Sequence, residues 1–327
     1  MGLAGVDTAE FVERILSGDR RALARAISHI EADSPVGREV RRQLYPRTGR
    51  SQTVGITGSA GAGKSTLVGQ IAREEHRRGR TMGIVAVDPS SPFSRGAILG
   101  DRIRMQELTS YPGIFVRSMA SRGNPGGLSE MATGVVDVLD AAGYDVVLIE
   151  TVGAGQDEVE VATAAQTTVL VSNPGGGDEI QSMKAGLMEV AQILVVNKAD
   201  LDGADTAVAQ LEALRTISGI RAWTPPILKA VATTGEGIAD LVDAIDAHQA
   251  HTRHSEHADS ERRELTRKQI IALTRAELYR LASETASGSQ MLDTLVAEVA
   301  GRRQDPRSAA ELLLDALLRE WAANGGD

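Results

Sequence analysis

A glycine-rich segment between residues 58 and 66 carries the residue types that bind phosphate groups. It fits the pattern G-x-x-x-x-G-K-[ST], with Lys64 and Ser65 at its end. Glycines let the backbone wrap around a phosphate with its N–H groups pointing inward, and the N-terminus of a following helix adds partial positive charge. Lys64 would contact the terminal phosphates, and Ser65 would be a ligand of Mg²⁺. The residues predicted to bind the phosphates are Gly58, Ser59, Ala60, Gly61, Ala62, Gly63, Lys64, Ser65 and Thr66.

A second motif, N-K-x-D, directly follows the apolar run ILVV and predicts a base-binding site. The carboxylate of Asp200 can accept hydrogen bonds from both guanine N1–H and the 2-amino group, whereas adenine lacks that amino group and presents an acceptor at N1. Lys198 would lie along the base plane, and Asn197 would connect this segment to the phosphate loop. Backbone N–H groups of residues that follow the next strand would complete the pocket. These residues are Val231, Ala232 and Thr233.

Three acidic residues lie where they can complete a magnesium site. Glu150 ends the apolar run VVLIE and begins E-T-V-G, at the place of the switch D-x-x-G of GTPases, while Asp88 ends another strand and Asp101 follows in a glycine-containing segment. Carboxylates and a hydroxyl are the hard ligands that Mg²⁺ prefers. The predicted metal site is therefore Ser65, Asp88, Asp101 and Glu150, although each acid can also be a helix cap or a surface charge.

The residues after Glu150 predict slow hydrolysis of GTP. Ras-like GTPases place a glutamine directly after the glycine of D-x-x-G to orient water, but here that residue is Ala154, and Gln156 comes two places later. Asp88 is then the better candidate for orienting or deprotonating water. Such a rate suits a timer or a chaperone better than a metabolic catalyst.

The elements that must position these motifs alternate between apolar strands and helical patterns. Near-continuous apolar runs suit strands buried on both faces of a parallel sheet, and helices between them imply right-handed crossovers. The sequence therefore predicts a doubly wound α/β domain with a mostly parallel sheet and with ligands at the carboxyl ends of the strands. The predicted strands are Thr53–Thr57, Gly83–Asp88, Ile114–Arg117, Asp145–Glu150, Thr167–Ser172, Ile193–Asn197 and Ile227–Val231.

Helical patterns flank this domain on both sides. We predict an N-terminal helical segment over 1–48, the nucleotide-binding domain over 49–247, and a linker with a C-terminal helical arm over 248–327. The polar residues 248–262 are typical of a linker, and three helices are expected after them, at about 263–283, 289–300 and 306–322. Asp305 is the expected N-cap of the last helix.

Composition excludes several classes of protein. The 327-residue chain has a formal net charge of −9, with Trp 2, Tyr 4 and Phe 3, and so lacks the basic surface and the stacking side chains of a nucleic-acid binder. Cys 0 excludes disulfides, cysteine-ligated zinc and a thiol nucleophile. The sequence shows neither a targeting segment nor an apolar run long enough for a membrane span, so we expect a cytoplasmic protein without a membrane partner.

Taken together, the motifs resemble those of the methylmalonyl-CoA mutase-associated GTPases of the MeaB/ArgK type, a branch of the P-loop GTPases. The resemblance extends over nearly the whole chain. It rests on Asp88-Pro-Ser-Ser-Pro, Gly100-Asp-Arg-Ile-Arg-Met105, Arg117-Ser-Met-Ala-Ser-Arg-Gly123, Glu150-Thr-Val-Gly153, Gly177-Asp-Glu-Ile-Gln181 and Asn197-Lys-Ala-Asp200, which occur in this order.

The resemblance implies more than the motifs do alone. It implies a GTP- and Mg²⁺-dependent chaperone that gates cobalamin loading of an adenosylcobalamin-dependent acyl-CoA mutase and protects or reactivates that enzyme. It also implies a homodimer formed through the C-terminal helices and a third switch at residues 172–184. In this resemblance, Arg104 corresponds to an arginine of switch I. With it, the predicted catalytic residues are Lys64, Asp88, Arg104 and Glu150.

Two other interpretations remain open on the sequence. Four of the six histidines recur every third residue, at His248, His251, His254 and His257, which suggests a nickel-insertion GTPase of the hydrogenase or urease maturation type. Against this, steps of three leave no i, i+4 pair on a helix, and no cysteine is available. The other interpretation, an ATP-dependent transporter kinase, conflicts with the guanine-type motif at 197–200.

Overall fold

The computed structural model describes residues 7–89, 107–121, 127–151, 165–175, 190–217, 222–254, 258–283 and 285–323. The chain forms two compact units, Met1–Ala258 and Asp259–Asp327. The first unit therefore contains the N-terminal helices together with the sheet.

Seven parallel strands form one sheet. They are β1 Gln52–Gly58, β2 Met82–Pro89, β3 Ile114–Ser121, β4 Val146–Thr151, β5 Thr167–Ser172, β6 Ile193–Asn197 and β7 Ile227–Ala230. Their order in the sheet is β3-β2-β4-β1-β5-β6-β7. All seven predicted strands are present, and the doubly wound α/β fold is confirmed. β1, β4, β5 and β6 are buried along their whole length, which explains their nearly continuous apolar runs.

Helices cover both faces of this sheet. The described helices of the first unit are α1 Thr8–Leu16, α2 Arg20–Glu31, α3 Pro35–Leu44, α4 Lys64–Arg77, α5 Gly127–Ala141, α6 Ala204–Ile217 and α7 Ile238–His254. α4 and α7 share a buried apolar cluster with β1 and its neighbours. α1, α2, α3 and α5 pack together with β2, β3 and β4 in a second cluster. The phosphate-loop helix α4 is thus fixed from both sides, by the sheet and by α7.

The N-terminal helices are held to the sheet by polar contacts as well as by apolar packing. Arg41 Nε lies 2.9 Å from the Asp137 carboxylate of α5, and an Arg20 guanidinium nitrogen donates to the Ile114 carbonyl at 2.6 Å. Asp140 Oδ1 accepts the backbone N–H groups of Arg50 and Ser51 at 3.1 and 2.9 Å, which fixes the connection into β1. The predicted N-terminal helical segment over 1–48 contains three helices, and the buried face of α3 is only Gly37, Val40 and Leu44.

The expectation of a linker over 248–262 is wrong for most of that range. α7 continues to His254, and the next helix already begins at Ala258. A polar composition is compatible with these helices, because a surface helix needs apolar residues on one stripe only.

The C-terminal unit contains the three predicted helices, α8 Ala258–Ser283, α9 Ala286–Ala300 and α10 Pro306–Ala323. Asp305 caps α10 as predicted, since its Oδ1 accepts the N–H groups of Arg307 and Ser308 at 3.0 Å each. Ser287 Oγ donates to Glu320 at 2.7 Å and links α9 to α10. Several large apolar side chains of this unit are exposed, among them Ile270, Tyr279, Val296, Leu312 and Leu318. None of the helices that the structure describes has the length and apolarity needed to cross a bilayer.

Glu75, in the last turn of α4, is a fully buried carboxyl group that belongs to none of the motifs. Its side chain lies 2.5 Å from Arg80 Nε, and Arg80 in turn donates to both carboxylate oxygens of Asp246 on α7 at 2.8 and 3.0 Å. Burial raises the pKa of Glu75 from 4.5 to about 7, against the opposing effect of Arg80. The folded state therefore retains this proton between pH 4.5 and 7, where the unfolded chain has released it.

We expect Glu75→Gln to flatten the pH dependence of stability. The contribution of the raised pKa is complete below pH 4.5, declines between 4.5 and about 7, and is lost above 7; its full size is roughly 3 kcal/mol. The variant cannot ionise, so from pH 5 to pH 8 its free energy of unfolding should rise relative to the unmodified protein by about 2 kcal/mol. Urea unfolding at several pH values measures this difference.

Glu74→Gln is the matched control for that experiment. Hydrogen bonding to Arg77 lowers the pKa of Glu74 to about 2, so Glu74 is ionised in both folded and unfolded states above about pH 6. The control should shift the stability curve without changing its slope between pH 6 and 8. If the Glu75→Gln curve ran parallel to that of the unmodified protein, the raised pKa would be refuted.

Candidate functional site

The loop between β1 and α4 is shaped by three glycines in the left-handed region. Gly58, Gly61 and Gly63 have φ values of 138°, 77° and 91°. A Cβ atom on Gly58 would lie 2.0 Å from the Val171 carbonyl oxygen of β5, so only glycine allows this close approach. The loop ends at Gly63, directly before the first turn of α4. The strand, the glycine loop and the helix N-terminus thus have the arrangement that binds anions.

Lys64 lies inside this loop rather than on the surface. It is 5% exposed, and its Nζ donates to the carbonyl oxygens of Gly58 at 2.6 Å and Ser59 at 2.8 Å. The side chain therefore folds back over the loop from the start of α4. This places a positive charge beside the turn whose backbone N–H groups are predicted to bind phosphate.

Ser65 and Glu150 meet at the carboxyl edge of the sheet. Ser65 Oγ donates to Glu150 Oε1 at 2.5 Å, and Glu150 is 4% exposed. β4 neighbours β1, with Ile56 opposite Glu150, so the end of β4 lies beside the phosphate loop. A hydroxyl and a carboxylate in direct contact are a suitable oxygen donor set for Mg²⁺.

The other predicted metal and catalytic residues are only partly located. The backbone of Asp88 lies in β2, paired with Ala120 of β3, and β2 is the neighbour of β4 on the side away from β1. Asp88 is thus at the same edge as Glu150, one strand further out. Asp101 and Arg104 lie outside the described residues.

Asn197 connects the phosphate loop to the predicted base site. It is 1% exposed; its Nδ2 donates to the Ala62 carbonyl at 2.8 Å, and its Oδ1 accepts the Ala232 N–H at 3.1 Å. A Cβ on Gly63 would lie 2.4 Å from Asn197 Nδ2, so the glycine at that position also makes room for this side chain. The end of β6, the phosphate loop and the turn after β7 therefore form one continuous site.

Lys198 and Asp200 follow in the turn after β6. Lys198 has a left-handed φ of 57°, and its Nζ donates to the Gly61 carbonyl at 2.8 Å. Asp200 is exposed at the same end of the sheet. These positions leave the Asp200 carboxylate accessible to a ligand that also contacts the phosphate loop.

Residues 231–236 form a tight turn after β7. The Val231 N–H donates to the Glu236 carbonyl at 3.0 Å, and the Val231 carbonyl accepts from Thr234 and Gly235 at 3.1 and 2.9 Å. Gln70 of α4 donates through Nε2 to the Ala232 carbonyl at 2.9 Å. Sequence reasoning did not single out Gln70, because a glutamine on a helix surface belongs to no motif.

His248, the first residue of the histidine series, lies away from this site in the packed interior. His248 is buried; its Nδ1 lies 2.8 Å from Thr167 Oγ1, and its ring packs against Trp223 at 5.0 Å between centroids. Burial, together with the nearby His251, lowers the pKa of His248 to about 4. His257 is outside the described residues, and within the part of the chain that is described no group of three or more potential ligands could hold a metal ion.

Comparison with known proteins finds related sequences over most of the chain. Residues 23–287 match the family model described as methylmalonyl Co-A mutase-associated GTPase MeaB. GTPase ArgK of Escherichia coli is 38% identical over 242 residues, covering 71% of this chain and 73% of that protein. A Pyrococcus horikoshii protein named "Putative GTPase" is 41% identical over 313 residues, covering 94% of this chain and 98% of that protein.

Two further matches extend over most of the chain. The methylmalonic aciduria type A homolog of Caenorhabditis elegans, a mitochondrial protein, is 29% identical over 320 residues, covering 92% of this chain and 80% of that protein. The crystal structure of a LAO/AO transport system kinase shows the same fold, with a TM-score of 0.69 at 24% identity. The match covers 97% of this chain and 100% of that chain. On the family match and its GTPase relatives, this chain is a P-loop GTPase and belongs to the methylmalonyl-CoA mutase-associated GTPase family.

Proposed function

We propose that this GTPase is a chaperone that gates cobalamin loading of an adenosylcobalamin-dependent acyl-CoA mutase and protects or reactivates the enzyme. The observation that carries the proposal is the family match over residues 23–287, which includes the phosphate loop, the base motif and the first helix of the C-terminal unit. The family is named for its association with methylmalonyl-CoA mutase, and a relative is named for methylmalonic aciduria.

The proposed nucleotide is GTP or GDP. It would extend from the phosphate loop to the predicted base site, which Asn197 connects. Phosphates would contact the backbone N–H groups of residues 58–66, with Lys64 at the terminal phosphates. Asp200 would accept from guanine N1–H and the 2-amino group, and Lys198 would lie along the base. The N–H groups of Ala232, Thr234 and Gly235 already have acceptors. This favours the N–H of Thr233 as the donor to the guanine 6-oxygen.

The residues present fit a Mg²⁺ ion. Ser65 and Glu150 would hold it, with Asp88 at the neighbouring strand end; Asp101 and the switch residue Arg104 remain sequence-based candidates. When bound, the ion would neutralise negative charge on the β- and γ-phosphates during transfer. Glu150, which accepts from Ser65 Oγ at 2.5 Å, would also orient that hydroxyl.

We expect hydrolysis by the isolated protein to be slow and to require magnesium. Ala154 occupies the position of a water-orienting glutamine, so turnover should stay below about 1 s⁻¹ at saturating GTP. Phosphate release measured with Mg²⁺, and again with excess EDTA, tests both parts. Turnover above that value, or full activity in EDTA, would contradict the assignment.

The three predicted switch segments begin at one edge of the sheet. They follow β2, β4 and β5, whose last residues are Pro89, Thr151 and Ser172, and all three strands are parallel to β1. The segments themselves lie mostly outside the described residues. Their starting points support a model in which the γ-phosphate alters a surface presented to the mutase.

The proposal includes a cytoplasmic homodimer that associates through α8, α9 and α10. The exposed apolar side chains of these helices, including Ile270, Val296 and Leu318, are consistent with burial against a second copy. The nickel-insertion alternative receives no support from His248, which is buried against Trp223 and hydrogen-bonded to Thr167.

A nucleotide-dependent capture experiment tests the chaperone role. The immobilised protein, loaded with GDP or a non-hydrolysable GTP analogue, is mixed with reconstituted acyl-CoA mutases, and retained enzyme is quantified. We expect one mutase to be retained with an affinity that differs between the two nucleotides. Equal retention of every mutase in both states, or none at all, would overturn the proposal.

A further inference from the structure

Gln70 joins the phosphate-binding helix to the turn of the predicted base pocket. It lies six positions after Lys64 in α4, about 9 Å along the helix axis. Its Nε2 donates to the Ala232 carbonyl at 2.9 Å. Its Oε1 lies beside Gly235, 3.8 Å from where a Cβ on that glycine would be. The side-chain amide thus packs along the turn that follows β7.

The Ala232 carbonyl and the Thr233 N–H belong to the same planar peptide unit. In a trans peptide these two groups point in opposite directions, so a hydrogen bond to the carbonyl also fixes the direction of the N–H. Asn197 holds the preceding peptide through the Ala232 N–H at 3.1 Å. The two amide side chains together leave the 232–233 peptide plane little rotational freedom.

This arrangement leaves the Thr233 N–H available as a hydrogen-bond donor to a ligand. The N–H groups of Val231, Ala232, Thr234 and Gly235 all have acceptors within the turn or on Asn197. Among the described residues, Thr233 N–H has no such acceptor. A hydrogen bond accepted by the carbonyl of a peptide also polarises the N–H of the same unit and strengthens it as a donor.

We propose that Gln70 is a positioning residue for base recognition, which fixes the 232–233 peptide so that the Thr233 N–H is directed at the 6-oxygen of guanine. The inference rests on the proposed base pocket and adds a residue from α4 to it. Gln70 does not touch the nucleotide. It transmits the position of the phosphate-binding helix to the base-reading turn.

The test uses nucleotides that alter one edge of the base at a time. 6-Thio-GDP keeps N1–H and the 2-amino group but replaces the 6-oxygen by sulfur, a weaker acceptor, whereas IDP keeps the 6-oxygen and lacks the 2-amino group. Dissociation constants of GDP, 6-thio-GDP and IDP are measured for the unmodified protein, Gln70→Leu and the isosteric Gln70→Glu. Gln210→Leu on α6 is the matched control.

We expect both Gln70 variants to lose about three- to ten-fold of the preference for GDP over 6-thio-GDP, the size of one hydrogen bond. The preference for GDP over IDP, which reports on Asp200, should stay as in the unmodified protein, and Gln210→Leu should change neither ratio. Because ratios are compared, a uniform loss of affinity through loosened packing does not imitate this result.

Several outcomes would overturn the inference. An unchanged preference for GDP over 6-thio-GDP in both Gln70 variants would show that Gln70 has only a structural role. An equal fall in both preferences would show a general distortion of the pocket. If the unmodified protein bound IDP as tightly as GDP, the base pocket itself would be wrongly assigned, and the role of Gln70 would fail with it.

Discussion

Asp200→Asn should change the base preference of this GTPase from guanine to xanthine. The carboxylate accepts two hydrogen bonds from guanine in the proposed pocket, whereas an amide accepts from N1–H but turns a donor toward the 2-amino group. Xanthine carries an oxygen at position 2, which that amide can bind. With charge-assisted hydrogen bonds worth about 1.5–3 kcal/mol, we expect GDP affinity to fall roughly 100-fold or more and XDP to become the better ligand.

Titration of fluorescent GDP with GDP and XDP as competitors measures this exchange. Asp202→Asn is a suitable control, because Asp202 is exposed in the same turn and no role in the base pocket is assigned to it. It should bind GDP like the unmodified protein. A variant Asp200→Asn that still preferred GDP over XDP would refute the assignment of the base site.

Lys64→Ala should strongly weaken nucleotide binding while leaving the fold intact. The Lys64 ammonium is buried beside the Gly58 and Ser59 carbonyls, in the middle of the loop predicted to bind phosphate. Its loss takes away a positive charge that acts in a shielded site, so we expect GTP affinity and hydrolysis to fall on the order of 100-fold or more. Isothermal calorimetry with GDP and a phosphate-release assay measure the two effects.

Lys229→Ala is the control for the lysine experiment. Lys229 forms an exposed ion pair with Asp205 at 2.5 Å in the same unit, and such surface pairs contribute little to stability. This variant should bind and hydrolyse GTP normally. Thermal unfolding should show both lysine variants to be folded; if folded Lys64→Ala protein still bound GDP tightly, the phosphate site would be wrongly placed.

Local sequence signals were sufficient for the strands and for the phosphate loop. Strands buried on both faces must be apolar throughout, which made runs such as those of β4 and β6 recognisable without a structure. The glycines of the loop are needed for backbone reasons, since Gly58, Gly61 and Gly63 all adopt positive φ. These requirements act on single residues and their neighbours, and therefore leave a trace in the sequence.

Composition was a poor guide where a helix has one buried stripe. Residues 248–254 were expected to be part of a linker, yet they continue α7, and His248 is packed against Trp223 from another part of the chain. The bounds of α3 within the helical segment over 1–48 were not predicted, because its few buried residues fall in a polar background. Packing partners decide such segments, and those partners are distant in sequence.

The sequence by itself determined the phosphate loop, the guanine-type motif, the succession of strands and the family, because each depends on residues that are close together along the chain. Only the tertiary structure decided that Asn197 joins Ala62 to Ala232, that Ser65 meets Glu150, that Gln70 reaches the turn after β7, and that Glu75 is buried beside Arg80. The physical reason is that hydrogen bonds and desolvation depend on distances in space. Those distances are set by the order of the strands and the packing of the helices against them.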